Sequence, residues 1–258
     1  MLKQMVLALA IVLSASVVVA QKSSPPSQAE LDGITARGRM LAEYDVAAWH
    51  SSDAVLAMNP EKGSVARYVA KKADAGWVVA FGRFNDKHDG FLVVYEATQA
   101  ANPQEFRVKK CDPPQEDTGF YYSAAKAIET ALQDFRGAQR PYNVAMLPAE
   151  SNQMYVYVVP AQATGGIYPL GGDVRYLMSP DGSTIVEKRH LHKTILEIRD
   201  SGKSGTMAGG FHTHVLSDVP EDTDVFHVLR RKPPLPEYVA TKKYRYLIQA
   251  DGSIKRQK

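Results

Sequence analysis

Hydrophobic residues in the first part of the chain follow first a helical and then an extended pattern. From residue 28 to about residue 57, apolar residues recur at spacings near three and four, which predicts an amphipathic helix. Two runs of aromatic and β-branched residues follow, at 77–84 and 91–95, with a polar segment between them. This arrangement predicts a β-hairpin. A third strand is predicted from residue 105 to 111.

The second part of the chain repeats this order of elements. Apolar residues between Ala124 and Phe135 form one stripe, which predicts a helix, and Gly137 lies where that helix would end. The later runs predict strands at 142–147, 154–159, 174–178, 184–198 and 244–248. Two of them end in Asp-Gly turns, at Gly182 and Gly252, which favour hairpins.

These patterns predict an α+β fold in which helices precede a mainly antiparallel sheet in each of two halves. The N-terminal half is expected at 28–112 and the C-terminal half at 119–258. The acidic, proline-containing segment from 112 to 119 is interpreted as the loop between them. Both Asp-Gly hairpins are expected in a single antiparallel sheet.

The first twenty residues have the three parts of a secretory signal peptide. Lys3 supplies an early positive charge, residues 5–20 are almost entirely apolar, and Val18 and Ala20 are small residues before a cleavage point. An uncleaved anchor is the alternative, but the apolar run is shorter than the roughly 20 residues that span a bilayer. We therefore predict a signal peptide at 1–20, a disordered spacer at 21–27, and export to the periplasm or the extracellular space. After cleavage, no stable membrane span is expected.

Composition narrows the function classes only slightly. The chain has 258 residues, of which 45% are hydrophobic and 23% charged, as in ordinary globular proteins. Its net charge of +3 falls to +2 when Lys3 is removed, which is too small to predict nucleic-acid binding. Cys111 is the sole cysteine, so no internal disulfide can form, and we interpret it as a spare thiol at a strand end.

Histidines are concentrated near the C-terminus. Five of the seven lie between 190 and 227, and four of them form two His-x-His pairs, His190/His192 and His212/His214. Because alternate residues of a strand share a face, each pair would place two imidazoles side by side, which suits a metal such as Zn²⁺. The remaining residue of the five is His227.

The two pairs differ in their neighbours. Arg189 and Lys193 flank the first pair, and since cations oppose a dication, we interpret His190 and His192 as polar strand surface. The second pair follows two glycines, which allow close backbone approach, and precedes several acidic residues that could act as a third ligand. For His212 and His214, ordinary strand surface and a metal site both remain open.

Two resemblances extend this picture. The segment 211–214 followed by 220–224 resembles the signature of JAMM (MPN-type) metalloproteases, with Val215 in place of the usual proline and Glu221 in place of a serine. The resemblance implies that His212, His214 and Asp224 bind zinc and that a glutamate acts as general base, for which Glu150 is the only guess. The segments 38–53, 77–95 and 171–192 are similar to exported bacterial proteins of unassigned function.

Two functions follow from the sequence. The first is an exported, non-catalytic binding or envelope-associated module without a cofactor, whose partner is unknown. The alternative, which the resemblance implies, is a JAMM-like zinc-dependent hydrolase of peptide or isopeptide bonds. The sequence contains no nucleophile-elbow, His-Glu-x-x-His, P-loop or dinucleotide motif that would indicate another enzyme class. Whether His212, His214 and a carboxylate converge beside an open position distinguishes the two.

The signal peptide leads to a direct prediction. Protein purified from its native host should begin at about Gln21, because cleavage after Ala20 would remove the whole apolar run. N-terminal sequencing measures this start. A soluble protein that begins at Met1 would contradict the prediction of export.

Overall fold

A computed structural model describes residues 24–199 and 208–257. The predicted signal peptide and the first residues of the predicted spacer lie outside this described part of the chain. Within it, no helix is both long enough and apolar enough to cross a membrane.

The described residues form three α-helices and fourteen strands. The helices are α1 (Gln28–Leu56), α2 (Phe120–Asp134) and α3 (Asp222–Arg230), and a short 3-10 helix spans Glu150–Asn152. The strands are β1 (Arg67–Ala73), β2 (Gly76–Phe84), β3 (Phe91–Gln99), β4 (Phe106–Asp117), β5 (Tyr142–Pro148), β6 (Met154–Pro160), β7 (Ile167–Gly171), β8 (Val174–Met178), β9 (Ile185–His190), β10 (Ile195–Arg199), β11 (Gly210–Thr213), β12 (Glu237–Ala240), β13 (Arg245–Ile248) and β14 (Ile254–Gln257).

The strands form three four-stranded sheets and one two-stranded ribbon. Sheet I has the order β1-β2-β3-β4, sheet II the order β5-β6-β8-β9, and sheet III the order β11-β12-β13-β14, while β7 pairs with β10. Every described strand pair is antiparallel except β11 and β12, which run parallel. Because α1 precedes sheet I and α2 precedes sheet II, the predicted α+β fold with helices before mainly antiparallel strands is confirmed.

Sheets I and II are each covered on one face by α1 and on the other by α2. In β2, Val79 packs in the cluster that contains α1, whereas the next residue, Ala80, packs in the cluster that contains α2. In β6, Tyr157 and Val158 divide in the same way. Burial on both faces explains why β6 is almost continuously hydrophobic instead of alternating with polar residues.

Helix α3 packs on the N-terminal part of α1 and on sheet III. Val225 and Val228 of α3 share a buried cluster with Leu31 and Ile34 of α1. At Gly38 the two helices approach so closely that an added Cβ would lie 2.5 Å from the Val225 Cβ. Glycine at this position therefore sets the distance between α1 and α3.

The predicted loop at 112–119 is wrong. Strand β4 continues to Asp117 and pairs there with Phe91, although it contains Pro113 and Pro114. Because β4 is the edge strand of sheet I, the missing N–H groups of the two prolines do not interrupt pairing inside the sheet. Cys111 accordingly lies within a strand instead of at its end, and its side chain is buried in the core.

Three further differences concern the C-terminal strands. The strand predicted at 184–198 is broken into β9 and β10. The Asp-Gly turns at Gly182 and Gly252 do form hairpins, but these belong to sheets II and III and do not share one sheet. Helix α3 was not predicted, because its first turn is acidic and resembles a loop in sequence.

The contact at Gly38 leads to a prediction about stability. Gly38→Ala should lower the free energy of unfolding by about 1–3 kcal/mol, because its methyl group would overlap Val225 and lie 2.6 Å from the backbone oxygen of Asp222. Gly33→Ala in the same helix is the control, since the nearest atom to its added Cβ lies 3.5 Å away. That variant should gain about 0.5–1 kcal/mol from helix propensity. Urea unfolding measures both changes, and equal stabilities would contradict the role of Gly38.

Candidate metal centre

Three imidazoles and one carboxylate meet where sheet III, α3 and the segment after β9 come together. His212 lies in β11 and His214 follows that strand directly. His192 lies in the segment between β9 and β10, and Asp224 lies in the first turn of α3. Four residues spread over some thirty positions of the chain thus present one donor atom each to a common point.

The donor atoms have the spacing of a small coordination polyhedron. The Nε2 atom of His214 lies 3.0 Å from the Nε2 atoms of both His192 and His212. The Asp224 carboxylate oxygens lie 2.9 Å from His192 Nε2, 3.0 Å from His212 Nε2 and 3.1 Å from His214 Nε2. Zinc bonds of roughly 2.0–2.1 Å in a tetrahedron would separate neighbouring donors by about 3.3–3.4 Å. An outward shift of a few tenths of an ångström would therefore accommodate the ion.

Each imidazole is oriented by an acceptor on its other nitrogen. The Nδ1 contacts are His192 with Asp173 Oδ1 at 2.8 Å, His212 with Glu237 Oε1 at 2.9 Å, and His214 with the Val219 backbone oxygen at 3.1 Å. Each acceptor favours a proton on Nδ1, which leaves the Nε2 lone pair directed at the common point. This is the arrangement that metal-binding histidines adopt in proteins.

The position of Glu237, the acceptor for His212, explains why residue 210 is a glycine. Glu237 begins β12, which pairs in parallel with β11 so that Gly210 lies opposite Glu237. A Cβ at Gly210 would lie 1.8 Å from Glu237 Oε2, so any other residue would displace this carboxylate. Glu237 is fully buried and also forms an ion pair with the buried Arg231.

Asp224 is positioned by the start of α3. The Glu221 backbone N–H donates to Asp224 Oδ2 at 2.7 Å, and together the two residues form a capping box. The Glu221 side chain accepts a hydrogen bond from Arg189 of β9 at 2.5 Å.

The first residue of α3, Asp222, connects the helix to the rest of the protein. Its carboxylate accepts three hydrogen bonds, from Tyr157 at 2.7 Å, from Arg175 at 2.6 Å and from Arg37 at 2.9 Å.

The electrostatics of this group favour a positive charge at its centre. Burial alone would raise the pKa of Asp224, but the three neighbouring imidazoles hold it well below its usual range. Burial alone would lower the pKa of His212, but the carboxylates of Asp224 and Glu237 raise it to about 9. The pKa of His192 is likewise raised, against the effect of burial, by Asp173 and Asp224. Three buried carboxylates thus surround three imidazoles, and they stabilise either protons or a metal ion there.

A pocket opens onto this group from the solvent side. Its volume is about 210 Å³, and its lining residues include His192, His212 and His214. Asp224 is not among the lining residues and is completely buried. A ligand in the pocket would therefore approach the centre past the three histidine residues.

The structure brings together all three residues that the JAMM resemblance implied, His212, His214 and Asp224, and it adds His192 to them. His190 is exposed, as expected for polar strand surface. The same interpretation is wrong for His192, whose side chain is only 9% exposed and contacts Asp173. The alternating pattern predicted one strand from 184 to 198, whereas β9 ends at His190. Nor does the charge of Arg189 oppose a cation, because its guanidinium faces Glu221.

The remaining candidates lie elsewhere. Glu150, the guessed general base, is exposed in the 3-10 helix that precedes Met154, the first residue of β6. The site lies near the opposite end of that strand, where Val158 pairs with Val174, the neighbour of Asp173. His227 is buried on α3 outside the donor group, and burial together with Arg231 lowers its pKa to about 3, which keeps it neutral.

Comparisons of the chain with models of protein families, with curated proteins and with solved structures give no match. The resemblance to JAMM metalloproteases therefore stays a prediction. A histidine and aspartate group that could hold a metal ion is the chemical feature that the structure provides.

Proposed function

We propose that this protein is an exported, non-catalytic binding module whose centre of His192, His212, His214 and Asp224 holds one Zn²⁺ ion. The observation that carries the proposal is the convergence of four donor atoms within 4.8 Å of one another. Three imidazole nitrogens and one carboxylate oxygen form a donor set that zinc accepts in tetrahedral sites. Export rests on the pattern of residues 1–20.

A metal ion accounts for this geometry better than hydrogen bonds alone. Where two Nε2 atoms lie 3.0 Å apart, one of them must carry a proton, and His214 makes two such contacts. Every Nδ1 is already directed at an acceptor, so these Nε2 protons would make the imidazoles positively charged inside the protein. One bound cation would satisfy all the Nε2 lone pairs and the Asp224 carboxylate at once.

The number of donors favours binding over hydrolysis. Four protein donors complete the coordination of a structural zinc ion, whereas catalytic sites commonly have three protein donors and a water molecule. No carboxylate is found among the described residues that line the pocket, so none of them stands where a general base would act. Zinc would then hold the three histidines in place, and a ligand would bind in the adjacent pocket.

A JAMM-like zinc hydrolase of peptide or isopeptide bonds is the second candidate. It is favoured by the grouping of His212, His214 and Asp224 and by the pocket on the histidine face. Catalytic zinc sites have three protein ligands and a water molecule as the fourth ligand. With His192 as a fourth protein ligand, a zinc hydrolase would need a fifth coordination position for this water molecule.

The proposed centre predicts that the purified protein binds about one zinc ion per chain. Zinc at a thousand times its Kd should stabilise the folded state by about 4 kcal/mol, because it binds only the folded chain. For a protein of this size, that corresponds to a rise in Tm of roughly 10 °C. Elemental analysis gives the stoichiometry and thermal unfolding gives the shift.

Matched variants separate the proposed centre from ordinary surface histidines. His192→Ala and a double variant of His212→Ala with His214→Ala should each lose the bound zinc and the shift in Tm, whereas His190→Ala should keep both. Equal behaviour of the His190 and His192 variants would contradict the assigned centre. Chelator-sensitive cleavage of an isopeptide-linked substrate by the zinc-loaded protein would favour the hydrolase over the binding module.

The apparent affinity for zinc should depend strongly on pH. Zinc binds neutral imidazole, so any proton on a ligand must leave first. The pKa of His212 is raised to about 9, which means that this proton is present below that pH and is lost above it. Affinity should therefore rise from about pH 6 to about pH 9, by up to about tenfold per unit for each proton displaced. Competition with a chelator of known affinity measures it, and a profile that is flat above about pH 6.5 would contradict the raised pKa.

A further inference from the structure

The pocket at the candidate metal centre is lined in part by aliphatic residues. Five aliphatic side chains contribute to its lining, those of Leu170, Leu191, Leu196, Val215 and Leu216. Leu170 and Leu191 are almost fully buried, whereas Leu196, Val215 and Leu216 are about half exposed. The lining therefore includes aliphatic side chains that are buried and others that are exposed to solvent, which favours a ligand with an apolar part.

The direction of the pocket determines how a ligand would meet the metal. His192, His212 and His214 are lining residues of the pocket, whereas Asp224 is not and is fully buried. A ligand atom that reached the metal from the pocket would be a fifth donor beside the four residues that would hold the ion. Expansion of this kind from four to five donors is known for catalytic zinc sites.

The charge at the mouth of the pocket favours an anion. Lys193 lines the pocket and is exposed, and it makes no ion pair with the described residues. Apart from the histidines, it is the one ionisable residue among the described lining residues, which include no aspartate or glutamate. A bound metal and the Lys193 ammonium would thus attract the same anionic group from two sides.

We propose that this pocket binds a small aliphatic monocarboxylate. Its carboxylate binds the metal and faces Lys193, and its hydrocarbon tail packs against the leucine and valine walls. The pocket volume of about 210 Å³ limits the ligand to a short chain. The inference rests on the proposed metal-binding function and names the class of ligand for that site.

Cobalt-loaded protein tests the inference, since Co²⁺ accepts the same donors as zinc and its visible absorption changes with coordination number. Acetate, butyrate and butylammonium are the probes. Butyrate should change the spectrum and bind about fifteenfold more tightly than acetate, because each of its two additional methylene groups contributes a factor of about four when buried. Butylammonium should leave the spectrum unchanged.

Two pairs of variants assign the contacts. Lys193→Gln should weaken butyrate and acetate alike by about five- to tenfold, whereas Lys255→Gln, which removes the same charge from an exposed position on β14, should change neither. Leu196→Ala should weaken butyrate more than acetate. Leu132→Ala on α2 is its control, since Leu132 is 43% exposed and Leu196 is 44% exposed.

The outcomes separate this inference from the function on which it rests. A protein that binds no cobalt overturns the proposed metal centre and the pocket inference together. A protein that binds one cobalt ion but shows no spectral response to butyrate overturns only the pocket inference. Equal affinity for acetate and butyrate, or a response to butylammonium, also overturns it.

Discussion

The buried carboxylate of Asp222 is the contact on which the site depends. It joins Arg37 of α1, Tyr157 of β6 and Arg175 of β8 to the first residue of α3. An acidic residue is also favourable there because it faces the positive end of the helix dipole. Removing one partner from such a buried ionic network typically costs about 3–5 kcal/mol. The start of α3 is thereby fixed against both α1 and sheet II, and the position of Asp224, two residues later, follows from it.

Patterns within short segments predicted much of the fold. The stripes of apolar residues located α1 and α2, and the aromatic runs located the hairpin of β2 and β3. Such patterns could not predict β4 beyond Cys111, because two prolines are tolerated only on an edge strand, and sequence does not show which strand is an edge. Helix α3 was missed for a related reason: its buried polar first turn is stabilised by partners up to 185 residues away in the chain.

Three of the four residues of the candidate metal centre could be predicted from the sequence, because they lie close together in the chain. His212, His214 and Asp224 lie within a short stretch, and the glycine before them indicated a close approach that Glu237 now explains. His192 could not be assigned, because its position depends on a break between β9 and β10 that the alternating pattern does not show. Its acceptor Asp173 was equally hidden, since it comes from the segment before β8 and reaches the site only through the pairing of sheet II.

The parallel pairing of β11 with β12 has a consequence for how the chain is held together. Strand β11, helix α3 and strand β12 form a β-α-β crossover, so His212, His214, Asp224 and Glu237 all belong to one local unit. His192 and Asp173 belong to the segments that flank β8 and β9. A metal ion shared by the two would act as a cross-link that closes a loop of chain and lowers the entropy of the unfolded state. In a protein whose single cysteine precludes an internal disulfide, this ion would supply a cross-link of the kind that many small secreted domains obtain from disulfides.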